Sequence, residues 1–363
     1  MEVMDLKKLF KETYKDKKVF VTGHTGFKGA WLCQILKLAG AHIKGYALEP
    51  EHENDLYNLL NIREYATSVI GNIMDEVKFK EEILNFQPDF IFHLAAQPLV
   101  RLSYEIPVET FAVNSIGTAN LLNAIRSLDK TCNLILITTD KVYENKEWVY
   151  PYRENDRLGG YDPYSASKAC AEIVINSFRQ SFFNPKDYHK HKKSIASTRA
   201  GNVIGGGDWS KDRIIPDIVR ALQKEEPIKV RNPRAVRPWQ HVLEPLTGYL
   251  LLGARMLENP VKFADSFNFG PFIEDTRTVQ DLVEIAISKW GKGIFEHVEL
   301  SDAPHEAGLL KLDINKAISE LGWQPRLNAE KAIEYTIEWY RQFGTNPEEI
   351  TERQINSYLA WKN

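Results

Sequence analysis

The sequence predicts an α/β fold with a doubly wound parallel sheet and a smaller C-terminal lobe. Three observations predict it. Short apolar runs rich in β-branched and aromatic residues alternate with longer amphipathic stretches through the first 200 or so residues. A glycine-rich turn follows the first of these runs. After about Gly201 the alternation ends, and loops rich in Gly, Pro, Arg and Trp take its place.

The apolar runs predict six strands, and the amphipathic stretches between them predict helices. The predicted strands cover residues 18–22, 42–46, 69–70, 89–94, 133–138 and 194–199. The predicted helices cover residues 29–39, 107–128, 164–183 and, later in the chain, 278–289. The polar stretch 184–193 is interpreted as a solvated loop. Strand and helix in regular alternation indicate parallel pairing through right-handed crossovers.

Composition excludes several classes of protein. Lys and Arg total 46 and Asp and Glu 49, so the net charge of −3 gives no general attraction to nucleic acid or to an anionic membrane. Three cysteines without CxxC spacing, and two histidines (His189 and His191) without a third ligand, predict neither a disulfide framework nor a metal site. No signal peptide or membrane-span pattern is found, so we expect a soluble cytoplasmic protein.

The glycine-rich turn predicts a binding site for a dinucleotide. Gly23, Gly26 and Gly29 lie between the first strand and the first helix in G-x-x-G-x-x-G spacing. Glycine permits a tight turn and close approach of a pyrophosphate, and the helix N-terminus supplies amide donors. An acidic residue that holds the adenosine ribose is expected after the second strand. Ala47 stands there and Glu49 comes slightly late, so the residues leave NAD and NADP both open.

Two further groups predict oxidation chemistry. Tyr164 and Lys168 stand four residues apart at the start of a predicted helix and therefore share one face. An ammonium beside a phenol favours the phenolate, which can remove a proton from a hydroxyl. Thr139, Asp140 and Lys141 end the fifth strand, at the sheet edge that faces ligands. Thr139 can hydrogen-bond a reacting oxygen, and the other two are a candidate acid and base.

With these features in place, the chain resembles the extended short-chain dehydrogenases/reductases, the NAD-dependent sugar epimerase/dehydratase family, from about residue 17 to 340. Within that family it is most similar to the CDP-glucose 4,6-dehydratases. The stretches that carry the resemblance begin at six positions: GHTGFKGAWL at Gly23, HLAAQPLVRLSY at His93, TTDKVYEN at Thr138, LGGYDPYSASKA at Leu158, RAGNVIGGGDW at Arg199 and RPWQHVLEPLTGY at Arg237.

The resemblance implies a Rossmann-type domain over residues 1–203 and a lobe over 204–363 that mainly binds a sugar nucleotide, with residues 237–270 returning to the sheet. It implies a lyase that uses NAD to convert CDP-glucose to CDP-4-keto-6-deoxyglucose. Tyr164 would remove the proton of the C4 hydroxyl, Lys141 (or a water that it positions) the proton on C5, and Asp140 would protonate the departing C6 hydroxyl. Dehydratases of the dTDP-glucose type carry Glu where this chain has Lys141.

The resemblance also implies the remaining site residues. The residues expected at the cofactor are Gly23, Thr25, Gly26, Phe27, Gly29, Asn72, Ile73, Leu94, Ala95, Ala96, Tyr164 and Lys168. Those expected at the sugar nucleotide are Arg199, Asn202, Arg213 and Arg237. Asn114 matches a structural asparagine of the family. The loops between Gly205 and Arg237 are where the nucleotide base is expected.

Several alternatives stay open at this point. The chain could dehydrate another nucleotide hexose, act as a 4-epimerase, or be a non-catalytic dinucleotide-binding sensor. The intact Tyr164–Lys168 pair speaks against the sensor. The helices that begin at residues 107 and 164 resemble those that pair two subunits in this family, so we expect a homodimer or higher homo-oligomer. The resemblance further implies deoxysugar supply for a surface polysaccharide such as the lipopolysaccharide O-antigen.

Overall fold

A computed structural model describes residues 4–275, 277–298 and 309–361 of the chain. It contains a central seven-stranded sheet and three two-stranded sheets. The strands, in chain order, are β1 (Lys18–Thr22), β2 (His42–Ala47), β3 (Ala66–Ile70), β4 (Phe90–His93), β5 (Cys132–Ile137), β6 (Lys193–Ala200), β7 (Val203–Ile204), β8 (Ile228–Val230), β9 (Val236–Arg237), β10 (Gln240–His241), β11 (Ser266–Phe269), β12 (Arg277–Thr278) and β13 (Phe295–His297).

The order of the central sheet locates its ligand edge. The strands lie side by side as β11, β6, β5, β4, β1, β2 and β3, and every pair is parallel. The chain runs outward from β1 through β2 to β3 and then returns to the other side of β1 with β4. This reversal opens a crevice at the carboxyl ends of β1 and β4, where ligands of such sheets bind. The predicted doubly wound parallel sheet is confirmed.

Helices cover both faces of the sheet. They are α1 (Leu6–Tyr14), α2 (Phe27–Ala39), α3 (Leu56–Leu59), α4 (Glu76–Phe86), α5 (Val100–Glu105), α6 (Pro107–Phe111), α7 (Gly117–Ile125), α8 (Pro163–Ser181), α9 (Tyr188–His191), α10 (Ile214–Lys224), α11 (Leu243–Glu258), α12 (Val279–Trp290), α13 (Ala329–Gln342) and α14 (Pro347–Leu359).

Strand β1 shows why both faces are covered. Val19 and Val21 belong to one buried cluster, together with side chains of α1, α2 and α11. Phe20 points the other way into a second cluster, with side chains of α4, α7 and α8. Each of these three side chains is fully buried. Burying one such side chain contributes about 1.5–3 kcal/mol, so a strand that is apolar on both sides is stable only between two helical layers.

The structure departs from the predicted elements in two places. The helix predicted over 107–128 is divided into α6 and α7 by a π-helical segment, Ala112–Ile116. Asn114 lies in that segment, accepts a hydrogen bond from the Gln97 amide (2.9 Å) and donates to Ser167 Oγ (2.8 Å). This buried polar side chain thus joins the segment to α8 and to the loop after β4. The stretch 184–193, predicted as a loop, contains α9 because the short turn after residue 184 continues into one helical turn.

The second half of the chain is built differently from the first. It contains the small pairs β7–β10, β8–β13 and β9–β12, and in the part of the chain that the structure describes it returns to the central sheet with β11. The division of the chain at residue 203 remains a prediction. In the described ranges no helix is both long and apolar enough to cross a membrane, and no group of three or more His, Cys, Asp or Glu side chains could hold a metal ion.

Candidate active site

The glycine-rich turn forms a cradle between β1, β4 and α2. Gly23 has a φ of +73°, and a Cβ there would lie 2.8 Å from the Ala95 nitrogen. A Cβ on Gly29 would lie 2.1 Å from the Gly23 oxygen. Gly26 precedes α2, and no side chain caps the first amides of that helix. Those amides therefore remain available as donors to phosphate oxygens, which is the fit that a dinucleotide requires.

The other residues predicted at the cofactor follow β1, β3 and β4. Thr25 Oγ1 donates to the Leu48 oxygen (2.9 Å), which ties the turn to the end of β2, and Phe27 is half-buried. The amides of Leu94 and Ala95 both donate to Thr22 Oγ1 (3.1 Å each), and Ala96 follows them, half-buried. All of them lie on the carboxyl side of the central sheet, beside the crevice.

Asn72 and Ile73 lie on the same edge, after β3. Asn72 is exposed, and its Oδ1 accepts a hydrogen bond from the Met74 amide (2.9 Å). Ile73 is buried and packs against Gly117, where an added Cβ would come within 2.4 Å of Ile73 Cδ1.

Helix α8 brings Tyr164 and Lys168 to this edge. The carboxylate of Asp162 caps the helix by accepting from the Ser165 amide (2.9 Å), and Pro163 occupies the first turn, so the helix begins just before Tyr164. Lys168 Nζ donates to the Ile137 oxygen at the end of β5 (3.2 Å). Burial lowers the pKa of Lys168 to about 8, against the opposing charge of Glu172.

The pKa of the Tyr164 phenol depends on its burial and on nearby residues that the sequence also predicted for the site. Burial raises the pKa of the Tyr164 phenol, while the charge of Lys141 and a hydrogen bond with Thr139 act in the opposite direction. The charges of Asp140 and Arg213 also act on this phenol, with opposite signs. The structure therefore brings the predicted tyrosine, threonine, aspartate and lysine into one constellation at the end of β5.

Asp140 and Lys141 form an ion pair in this constellation. Lys141 Nζ lies 3.1 Å from Asp140 Oδ1 and 3.3 Å from Asn202 Oδ1. The carboxyl of Asp140 is buried, whereas 34 % of the Lys141 side chain is exposed. Asn202 thus holds Lys141 in position. A Cβ on Gly201 would come within 2.3 Å of Asp140 Oδ2, so only glycine leaves room for this carboxyl.

Arg199 has an internal role instead of the predicted contact with the sugar nucleotide. Its Nε and Nη2 donate to the two carboxylate oxygens of Glu172 (3.0 and 2.9 Å), and Nη1 donates to Tyr143 Oη and to the Glu154 oxygen. The side chains of Arg199 and Glu172 are 4 % and 2 % exposed. Because these hydrogen bonds use all three guanidinium nitrogens inside the protein, we leave Arg199 out of the groups proposed to reach substrate.

This buried pair gives a prediction for stability. Arg199→Met is expected to lower the free energy of unfolding by about 3–5 kcal/mol, because Glu172 then stays buried without its counter-ion. Urea denaturation of the purified variant measures the change. The matched control is Arg157→Met, which removes an exposed ion pair with Glu144 and is expected to cost about 0–1 kcal/mol. Equal effects of the two substitutions would contradict the assigned role of Arg199.

Arg213 and Arg237 lie in the second half of the chain. Arg213 Nη1 donates to Asp208 Oδ2 (2.8 Å), and its charge acts on both Tyr164 and Lys28. Arg237 Nη1 donates to the Val236 oxygen (3.0 Å) within the β9–β12 pair. Arg213 therefore lies near the predicted catalytic residues, whereas Arg237 is held at the β9–β12 edge.

The structure adds one cation that the sequence left unassigned. Lys28, in the glycine-rich turn, places its Nζ 3.2 Å from Tyr249 Oη and 5.3 Å from the centre of that ring. Burial lowers the pKa of Lys28 to about 7, helped by the charges of Lys168 and Arg213. The sequence shows a basic residue inside the turn, which could contact phosphate. It could equally be a solvated side chain at the start of the helix.

The chain is similar in sequence to known proteins along most of its length. The family model described as GDP-mannose 4,6 dehydratase matches residues 20–336. The chain belongs to this family. It is 45 % identical over 352 residues to a CDP-glucose 4,6-dehydratase of Salmonella typhimurium (strain LT2), an alignment that covers 96 % of this chain and 98 % of that protein. It is 26 % identical to a UDP-glucose 4-epimerase of Mycoplasma pneumoniae, over 90 % of this chain and 97 % of that protein.

Two solved structures of enzymes that act on nucleotide sugars share the fold of this chain. The dTDP-glucose 4,6-dehydratase DesIV of Streptomyces venezuelae, solved with NAD and TYD bound, gives a TM-score of 0.76 at 22 % identity and covers 90 % of this chain and 97 % of that one. A UDP-glucose 4-epimerase of Thermotoga maritima with UDP-glucose gives 0.76 at 22 % identity, with 90 % and 99 % covered. A dehydratase and an epimerase therefore both share this fold, so the fold alone does not distinguish the two activities.

Proposed function

We propose that this family member dehydrates CDP-glucose to CDP-4-keto-6-deoxyglucose. The observation that carries the proposal is the ion pair of Asp140 and Lys141 beside Tyr164. An acid and a base therefore lie next to the tyrosine that takes the proton of the C4 hydroxyl. The 45 % identity to a CDP-glucose 4,6-dehydratase over nearly the whole of both chains supports the same reaction and substrate.

NAD fits the cradle of glycines and the uncapped N-terminus of α2, and it supplies a hydride acceptor for C4 and a hydride donor for C6. Tyr164 takes the proton of the C4 hydroxyl. Lys168, whose Nζ donates to the Ile137 oxygen, contributes a positive charge at the end of β5. Once C4 is a ketone, the C5 proton is acidic and Lys141, or a water that it positions, removes it. Asp140 protonates the C6 hydroxyl, which departs as water.

The sugar nucleotide is proposed to lie across the crevice toward the second lobe. A guanidinium fork suits a diphosphate, and Arg213 and Arg237 are the arginines proposed for it, with the base between residues 205 and 237. Asn202 is proposed to act mainly on Lys141 because it already accepts a hydrogen bond from that ammonium. We further propose that the enzyme works in the cytoplasm and supplies a deoxysugar for a surface polysaccharide.

Incubation with several nucleotide sugars tests the proposal. The purified protein with catalytic NAD is incubated separately with CDP-glucose, dTDP-glucose, UDP-glucose and GDP-mannose, and mass spectrometry records loss of one water. Water loss from CDP-glucose alone is expected. Water loss from another nucleotide would keep the reaction but contradict the substrate. An inverted C4 hydroxyl without water loss would identify a 4-epimerase, and no reaction with any of the four would favour a non-catalytic dinucleotide-binding protein.

We also propose that two subunits pair through α6, α7 and α8. These helices pack against one another and expose apolar side chains outward. Val108 is 82 % exposed, Ile173 58 % and Ile116 51 %. Apolar side chains on neighbouring helices favour burial against a second copy of the same face.

A double substitution tests this pairing. Ile116→Lys with Ile173→Lys is expected to convert the oligomer to a monomer, because two ammonium groups would have to be desolvated in the interface. Light scattering after size-exclusion chromatography measures the mass. Ile294→Lys, at a comparably exposed isoleucine in the second lobe, is the control and is expected to leave the mass unchanged. A wild-type protein of monomer mass would contradict the pairing.

A further inference from the structure

Gln240 is a buried polar side chain outside the residues predicted for the site. It begins β10 and is 1 % exposed. Its Nε2 donates to the Gly201 oxygen and to the Phe269 oxygen, each at 3.1 Å. Its backbone nitrogen donates to the Asn202 oxygen (3.2 Å). Because two carbonyl oxygens accept from the side chain, only its nitrogen can face them, and this fixes the orientation of the amide.

Gly201 and Asn202, which Gln240 contacts, form the link between two sheets. Strand β6 ends at Ala200 and β7 begins at Val203. The chain therefore passes through this link from the central sheet to the β7–β10 pair. Gln240 binds the carbonyl oxygen of both link residues and ties them to the end of β11. The position of the link therefore depends on a side chain that lies 39 residues after Gly201.

Both link residues lie against the ion pair that is proposed to carry out the elimination. Asn202 Oδ1 accepts from Lys141 Nζ (3.3 Å), which also donates to Asp140 Oδ1 (3.1 Å). The missing Cβ of Gly201 leaves room for the second carboxylate oxygen, Asp140 Oδ2. Because 34 % of its side chain is exposed, Lys141 would have several rotamers without a partner, and the contact with Asn202 selects one. Movement of the link would therefore displace the base, the acid or both.

Tyr164, which is proposed to act in the oxidation, is held by other contacts. Helix α8 begins at the carboxylate cap of Asp162. Lys168 Nζ donates to the Ile137 oxygen at the end of β5 (3.2 Å). Neither contact includes Gln240 or the link. Oxidation and elimination therefore depend on different parts of the fold, and a change at Gln240 can separate them.

We propose that Gln240 is a positioning residue for the elimination. By fixing the link, it keeps Asn202 where its Oδ1 holds Lys141 beside Asp140. Gln240 acts through Asn202 and not by contact with the sugar or the cofactor. This role rests on the proposed dehydration, in which Lys141 removes the C5 proton and Asp140 protonates the departing hydroxyl.

Gln240→Met tests this role, because methionine has a similar length and no donor. Enzyme in excess over CDP-glucose is mixed with NAD, at a concentration where more enzyme no longer speeds oxidation. The absorbance of reduced cofactor follows oxidation, and mass spectrometry of quenched samples separates the 4-keto sugar nucleotide from the one that has also lost water. We expect elimination to slow by about 100-fold and oxidation to change by less than about threefold, since a displacement of about 1 Å can have an effect of that size. Reduced cofactor therefore accumulates, which also shows that the variant is folded.

Gln354→Met is the matched control. Gln354 is 2 % exposed, and its Nε2 donates to the Tyr335 oxygen (2.7 Å) and to Glu338 Oε2 (3.3 Å), which joins α14 to α13. The substitution removes the same amide from an equally buried position that does not contact the link. We expect the wild-type ratio of elimination to oxidation, even where stability falls.

A second substitution tests the route through Asn202. Asn202→Ala removes the contact with Lys141 and is expected to show the same separation of the two steps. Combined with Gln240→Met, it is expected to slow elimination little further, because both changes remove one and the same interaction. Should methionine prevent folding, Gln240→Glu is measured instead. Its neutral carboxyl keeps the shape and one donor, so an intermediate loss of elimination is expected.

Two kinds of result would overturn this role of Gln240. If Gln240→Met slows both steps alike, or leaves elimination at the wild-type rate, Gln240 does not position the base. If the two single effects multiply in the double variant, the residues act independently and the route through Asn202 is wrong. Failure of the wild-type protein to release water in the same experiment would instead overturn the proposed function.

Discussion

Tyr164→Phe is expected to lower the rate of cofactor reduction by about 10³-fold or more, because proton removal by a positioned side chain contributes about 10²–10⁴-fold. The phenol is buried at the end of β5, among Thr139, Lys141 and Asp140. Stopped-flow absorbance at 340 nm with CDP-glucose and NAD measures the rate.

The control for this variant is Tyr161→Phe. Tyr161 precedes α8 by two residues and is 77 % exposed. The substitution therefore removes the same phenol oxygen, but from an exposed side chain. We expect near wild-type rates for it. Calorimetry with CDP-glucose is expected to give similar affinities for both variants, since the loss is in the reaction step. A Tyr164→Phe enzyme within tenfold of wild type would show that another group removes the proton.

Lys141→Ala is expected to stop the reaction after oxidation. Cofactor reduction persists because Tyr164 and Lys168 are intact, while water loss falls by about 10²–10⁴-fold because no base removes the C5 proton. Lys141 Nζ donates to Asp140 Oδ1 and to Asn202 Oδ1, and these two contacts hold it at the end of β5. The lysine must lose a proton before it can act as a base, and transfer to the adjoining Asp140 carboxylate would do this without solvent.

For Lys141→Ala, mass spectrometry of the released sugar nucleotide measures the loss of water, and absorbance at 340 nm measures the reduction of the cofactor. Lys146→Ala is the matched control, because Lys146 pairs with Glu144 near the surface and is 55 % exposed. Normal dehydration by the Lys141→Ala enzyme would eliminate Lys141 as the C5 base. Loss of cofactor reduction as well would indicate that the Asp140–Lys141 pair also organises the first step.

Sequence patterns were most informative where local chemistry and the fold agree. The strand over 18–22 and the glycines after it form β1 and the turn as predicted, because a short apolar run followed by Gly23 has few other uses in a parallel sheet. Helix α8 agrees with the prediction to within two residues at each end, and the structure shows that Asp162 caps it and Pro163 occupies its first turn. The membership of the chain in its family agrees with the motifs that suggested it.

Patterns failed where a polar side chain meets a partner far away in the sequence. Arg199 was interpreted as a substrate ligand, yet its partner Glu172 lies 27 residues earlier, on α8. Asn114 interrupts a helix that periodicity alone extends without a break, because its amide joins Gln97 and Ser167. Periodicity records which side of a helix is apolar. It carries no record of which distant atom a buried amide or guanidinium will bind.

The sequence by itself determined the first six strands of the central sheet, the glycine-rich turn after β1, and the kinds of side chain that end β5 and begin α8. These features depend on residues that are close together in the sequence, so their pattern can be seen without the structure. Only the tertiary structure decided that Thr139 donates to Asp140, that Asn202 holds Lys141, and that Arg199 is internal. The physical reason is burial: a polar group removed from water must find a partner, and the packing of β5, β6 and α8 determines which partners are within reach.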